Sequence, residues 1–237
     1  MAKKKVVIMI VEGVSDERAL STITQYVKRV FDVHIHFSNG DVFTKYSNKQ
    51  AKAIVGDEIR KVMNERKFSK KDILAVIQVT DTDGTFIDNK YVKIDNNVGE
   101  KALYFGDSIC VSDSYKAVQI QKRNKEKAHS LKTMYTTAKV MDIPYFLLYF
   151  SCNLDHVLHH ERNLAEEYKD SKAREFSKRF KDKPNDFYEF FNNNDFVVEG
   201  SMKETWEFIQ KDGNSLGRYS NFNIIFTILN EVILDVE

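Results

Sequence analysis

Six apolar residues, Val6-Val7-Ile8-Met9-Ile10-Val11, run without interruption into Glu12 and Gly13. A stretch that short, opened by Lys3-Lys4-Lys5 and closed by a glycine, reads as a strand buried on both faces. Ser15 suits a helix N-cap behind it, with Asp16 and Glu17 in a first turn where the helix dipole favours negative charge. Leu20, Ile23, Val27, Val30 and Phe31 follow at helical spacing. A buried strand that hands its chain to a helix belongs to a parallel sheet, and Glu12 stands at that sheet's carboxyl edge. Open α/β sheets bind ligands along this edge.

The same rhythm returns further on. His34 to Phe37 is a weaker strand candidate, ended by Ser38-Asn39-Gly40-Asp41. A helix is expected from about Asn48 to Arg66, its inner stripe of Ala51, Ile54, Val55, Ile59 and Val62 interrupted by Glu58. Ile73 to Thr80 is a second strong strand and ends in Asp81-Thr82-Asp83-Gly84. Residues 85–116 break the alternation with short β-like pieces, Tyr91 to Ile94 and Ile109 to Val111, and read as an insertion beside the sheet. A basic helical stretch follows, with Leu131, Met134, Tyr135 and Ala138 as its apolar stripe. Tyr145 to Phe150 is a third buried strand, ending in Ser151-Cys152-Asn153-Leu154-Asp155-His156. The remainder is helical, charged and aromatic, with Trp206 its only tryptophan and Ile224, Ile225, Ile228, Leu229 and Val232 on a closing helix. Strands alternating with helices imply crossover connections. The expected fold is therefore α/β: residues 1–150 form a Rossmann-like domain with a mostly parallel sheet flanked by helices. Residues 151–237 form a helical C-terminal extension packed on it.

Three strands thus deliver Glu12, then Asp81 with Asp83, then Asn153 with Asp155, to one edge. Crowded carboxylates repel one another and desolvate poorly, and magnesium, which prefers oxygen ligands, relieves both problems. Such a cluster suits metal-assisted phosphoryl chemistry. Asp81 and Asp83, two apart in an extended chain, are expected to point the same way, with Gly84 turning the backbone after them. Alone, an Asp-x-Asp-Gly is more often a turn, and a lone Glu-Gly says less still. Their joint occurrence, each behind a buried strand, is far more specific.

In that combination the chain resembles the TOPRIM domain of topoisomerases, bacterial primases and OLD-type nucleases: apolar strand, Glu12-Gly13, Asp16, then an apolar strand ending in Asp81-x-Asp83. The resemblance covers roughly residues 5 to 150. It implies that Glu12 is a general acid/base or metal ligand, that Asp81 and Asp83 are magnesium (or manganese) ligands, and that Asp16 joins them in the catalytic cluster. The size, and an Asn153, Asp155, His156, His159 stretch after the last strand, are similar to stand-alone RloB-like and abortive-infection TOPRIM proteins. Asp155 stands where those carry a glutamate more commonly. No zinc-binding region of primases and no Walker lysine motif accompanies the match.

The resemblance implies a magnesium-dependent nuclease acting on DNA or RNA, as an effector of phage defence with a partner defence protein or as a homo-oligomer. A non-catalytic TOPRIM-derived module that binds nucleic acid or protein is the alternative, and a metal-dependent phosphotransferase on a small substrate is a third. Lys122, Arg123, Lys125 and Lys127 are the expected phosphate-backbone contacts; a basic helix face that is simply solvated is the plain alternative. His156, His159 and His160 have helical spacing for zinc but lack a fourth ligand. Ser220 or Asn221 suits an N-cap of the last helix. The formal charge of +1 points to no global attraction for nucleic acid or membrane. Two cysteines make no disulfide framework. No apolar run reaches the roughly eighteen residues of a membrane span, and no signal-peptide core opens the chain, so a cytoplasmic location is expected.

Overall fold

The structure is a computed structural model that describes residues 5–30, 33–40, 42–43 and 50–234. The expectations placed on residues 3, 4, 31, 41 and 48, and on the side chain of Val30, lie outside these described residues.

The apolar run does form a strand, β1 (Val6–Val11), and every one of its residues is buried. It pairs in parallel with β2 (His34–Asn39) on one side and β3 (Ile73–Asp81) on the other. β3 pairs in parallel with β8 (Ile143–Phe150), and the two-residue β7 (Lys139–Val140) closes the edge antiparallel to β8. The strand order is β2-β1-β3-β8-β7, a mixed, mostly parallel sheet with helices on both faces. One face carries Val7, Met9, Val11, Ile77 and Phe150; the other carries Val6, Ile8, Ile10, Val76 and Tyr149. Burial on both faces is why β1 reads as a continuous apolar run rather than an alternating one.

The chain after β1 departs from the single helix expected. Gly13, not Ser15, is the N-cap of α1 (Val14–Leu20), and Asp16 accepts a hydrogen bond from the Gly13 N–H at 2.9 Å. The helix stops at Ser21-Thr22 and resumes as α2 (Ile23–Val30). There the Ser21 and Thr24 hydroxyls donate back to the carbonyls of Arg18 and Ser21, competing with the helical ladder. In α3 (Ala51–Arg66) Glu58 breaks the apolar stripe because its carboxylate faces Ser38 at the end of β2. Ala138 lies past the end of α4 (Ser114–Tyr135) and is exposed.

The interruption ends earlier than expected, since α4 begins at Ser114, and the stretch before it builds a sheet of its own, ordered β4 (Val92–Ile94), β6 (Ile109–Val111), β5 (Leu103–Tyr104), packed through Ile87, Val92, Ile109, Val111, Ala117 and Leu216. The C-terminal helices are woven into the main core. Helices α5 (Leu154–His159), α6 (Glu166–Arg179), α7 (Pro184–Asn192) and α9 (Ile224–Leu234) cover the Val7 face. Helix α8 (Met202–Ile209) brings Trp206 to the opposite face. Trp206 is fully buried, donates its indole N–H to the Leu147 carbonyl at 2.9 Å and stacks on Tyr135. Truncating such an anchor to alanine costs about 3–5 kcal/mol.

Ser220 and Asn221 are not the N-cap of α9, which begins at Ile224. Asn221 Oδ1 accepts from the Tyr149 N–H at 2.8 Å, and the Ser220 hydroxyl donates to the Tyr149 carbonyl at 2.8 Å. β7 pairs only with the first two residues of β8, so these two side chains satisfy backbone groups of its second half that β7 does not reach.

Candidate active site

The carboxyl ends of β1 and β3 lie side by side. Glu12 Oε1 accepts from the Thr80 hydroxyl at 2.6 Å and from the Asp81 N–H at 2.9 Å, which ties the two strand ends together. Asp81 Oδ1 in turn accepts from the Leu154 N–H at 2.9 Å, at the first turn of α5. Glu12, Asp16, Asp81, Asp83 and Asp155 all line one open cavity of about 930 Å³. The same cavity is lined by Lys101 and Tyr104 at the edge of the small sheet, by Arg162 from the α5–α6 connection and by Lys169 from α6.

Asp81 ends β3, but Asp83 does not continue the extended strand. Asp83 has φ +50° and Gly84 φ +65°, so the chain turns left-handed immediately after Thr82. A Cβ on Gly84 would meet Leu216 Cδ2 at 2.5 Å, so both the dihedral and the space demand glycine. The turn is held from three sides. The Asp83 N–H donates to the Cys152 carbonyl at 2.8 Å, its carbonyl accepts from Arg123 at 2.8 Å, and its carboxylate accepts from Lys127 Nζ at 2.6 Å.

That places half of the expected basic face inside the protein. Lys127 has no exposed surface; its ammonium lies 2.6 Å from Asp83 Oδ2 and 3.6 Å from Glu12 Oε1. Arg123, four residues earlier on the same side of α4, is part-buried and bridges the Asp83 carbonyl to the Tyr104 hydroxyl. Lys122 and Lys125 are exposed, and Lys122 sits 3.9 Å from Glu126. The four residues therefore do not share one outward face: a helix puts positions 123 and 127 together and turns 122 and 125 away from them.

The local electrostatics divide in the same way. Burial, reinforced by Glu12, Asp16 and Asp83, raises the Asp81 carboxyl well above the usual range. Burial also acts on Asp83, but Lys127 and Arg123 outweigh it and hold that carboxyl low. Asp16 is raised by burial despite its bond from Gly13. Asp155 is pushed up to about 6, again chiefly by burial. No protein-family model, curated protein or solved structure matches this chain.

The residues after β8 split between cavity and core. Asn153 is the N-cap of α5, accepting from the His156 N–H at 2.8 Å and donating to the Arg162 carbonyl at 2.8 Å. His156 is buried and pushed down to about 4 by burial, with Arg162 and Arg218 adding to it. His159 packs edge-on against Phe176, and burial lowers it too. Neither imidazole is among the groups lining the cavity. Tyr104, Arg162 and Lys169 were not expected at the site; they reach it from the two-residue β5, which carries no strand pattern, from the α5–α6 loop and from α6.

Among the described residues no three His, Cys, Asp or Glu side chains stand at the mutual distances of a metal-ligand set. The reason is local: Glu12 is turned onto Thr80 and the Asp81 amide, Asp81 onto Leu154, and Asp83 onto Lys127. The donor chemistry nevertheless suits a hard divalent cation, since every acidic group is a carboxylate oxygen donor and Asp81 remains poorly compensated. Among the described residues no helix is long and apolar enough to cross a membrane.

Proposed function

We propose that this chain is a magnesium- or manganese-dependent nuclease with a TOPRIM-type site, hydrolysing phosphodiesters of DNA or RNA as an effector in phage defence. One observation carries the reading: Glu12, Asp81 and Asp83, at the ends of two adjacent parallel strands, and Asp16 in the first turn of α1 line a single open cavity of about 930 Å³. Asp81 and Glu12, with Asp83, would hold the ion. Bound there, the ion supplies charge stabilisation for the phosphoryl oxygens and lowers the pKa of an attacking water.

The protein's own groups do the rest. Thr80 and the Asp81 amide hold the Glu12 carboxylate at the strand end, and it would turn from them to join the ligand set. Asp16, whose carboxyl burial raises, lines the same cavity and is placed to act as general acid toward a leaving oxygen. Arg162 and Lys169, which line the same cavity, meet the phosphate charge.

Labelled plasmid, single-stranded DNA and RNA, incubated with and without magnesium or manganese, test this reading. Asp81→Asn keeps size and hydrogen-bonding capacity, and cleavage should fall on the order of a hundredfold or more. Equal cleavage by wild type and variant would place the chemistry elsewhere. A second reading, a TOPRIM-derived binding module without turnover, is favoured by the Lys127–Asp83 pair, which already neutralises one proposed ligand. It predicts binding without cleavage by either form, with manganese included.

A further inference from the structure

We infer that Lys127 occupies, from inside the protein, the position between Glu12 and Asp83 that a second metal ion would otherwise bridge, so that the cleft takes one divalent cation per chain. The inference rests on the metal-dependent reading of the site and goes beyond it by setting how many ions that site accepts.

A lysine with no exposed surface is costly to bury unless its charge is matched. Here the match is made by two carboxylates from two different strand ends. The ammonium lies 2.6 Å from Asp83 and 3.6 Å from Glu12, bridging them as a cation would. Glu12 Oε1 is occupied further, by the Thr80 hydroxyl and the Asp81 amide. The Asp83 backbone is fixed at its carbonyl by Arg123 and at its amide by Cys152, which sets its side chain within reach of Lys127. Two-ion phosphoryl-transfer sites need carboxylates that bridge ions about 3.5–4 Å apart. The gap between Glu12 Oε1 and Asp83 Oδ2 is already filled by the Lys127 ammonium. Asp81 is different: it lines the cavity, accepts from the Leu154 N–H and, unlike Glu12 and Asp83, has no cation in salt-bridge contact among the described residues.

The test counts ions. Wild type equilibrated with Mn²⁺ and freed of excess should retain one ion per chain, with an uncoupled electron paramagnetic resonance spectrum. Lys127→Ala vacates the position and should retain two ions with an exchange-coupled signal; its metal-free melting temperature should fall, and Mg²⁺ should raise it by more than it raises wild type. Two coupled ions in wild type, or one ion in Lys127→Ala with the wild-type response to Mg²⁺, would overturn the inference and leave the metal reading standing. No ion retained by wild type, with no Mg²⁺-induced rise in melting temperature, would overturn the metal reading and the inference with it. Should Lys127→Ala not fold, the wild-type count decides alone.

Discussion

Asp81 and Asp83 leave the same strand two residues apart and line the same cavity, yet the protein treats them in opposite ways. Around Asp83 the fold has gathered Lys127 and Arg123 from one helix, and the carboxyl is held low. Around Asp81 it has gathered Glu12, Asp16 and Asp83, and the carboxyl is raised. The Asp83 side is a finished piece of structure, in which a buried charge has its partner and a strained turn has its restraints. The Asp81 side is unfinished, with negative charge accumulated in the interior and open to solvent. Structural ion pairs and binding sites are made of the same residue types; what separates them is whether the fold supplies the opposite charge.

The sharpest way to break this comparison is to neutralise each acid in turn and melt the metal-free protein. Asp83→Asn strips Lys127 of its closest partner, and removing one member of a buried pair costs about 3 kcal/mol or more. Asp81→Asn removes a like charge from a crowd and should leave stability unchanged or raised. Denaturant unfolding in EDTA measures both; equal losses for the two variants would remove the distinction.

A smaller effect separates two neighbours on α5. Asp155 is pushed up to about 6 by burial, so the folded state keeps a proton that the unfolded chain loses near pH 4. Its contribution to stability is full below about pH 4 and is lost as pH rises through about 6. His156 is pushed down to about 4, so its contribution is present above about pH 6.5 and is lost as pH falls through about 4. Melting temperature against pH, in EDTA, should therefore rise more steeply between about pH 4 and 6 for Asp155→Asn than for wild type. His156→Asn should flatten the same interval.

The smallest effect on stability is expected on the outer side of α4. Lys122→Ala with Lys125→Ala should change it by no more than about 0.5 kcal/mol, since both side chains are exposed. If these residues touch a nucleic-acid backbone, the variant's binding should lose about 0.9 log unit of salt slope for each duplex phosphate contact removed. Affinity and slope unchanged from wild type would assign this side of the helix to solvent and leave Arg123 and Lys127 as the helix's contribution to the site.

Much of the architecture was legible because it is local. An apolar run too short for a helix, a Glu-Gly behind it and an Asp-x-Asp-Gly behind a second such run fix strands and their acidic ends with no knowledge of what packs against them. Periodicity likewise located α3, α4 and α9 and marked residues 85–116 as an interruption. The misreadings fell where a local pattern has a tertiary competitor. Ser15 is a good N-cap in isolation, but the turn out of β1 uses Gly13 instead. Asn221 is a good N-cap too, but β8 needed a partner for its backbone.

The sequence by itself determined the α/β class and that Glu12, Asp81 and Asp83 stand at the ends of strands, because strand burial and residue order along the chain suffice for both. Only the tertiary structure decided which charges meet. The basic stretch from Lys122 to Lys127 is uniform in one dimension, and nothing local distinguishes Lys125 from Lys127. Packing α4 against the sheet buries one side of it and exposes the other, so that Lys127 meets Asp83 from 44 residues away while Lys125 faces water. A charge's role depends on the dielectric around it and the sign of its neighbours, and both are properties of the fold rather than of the residue.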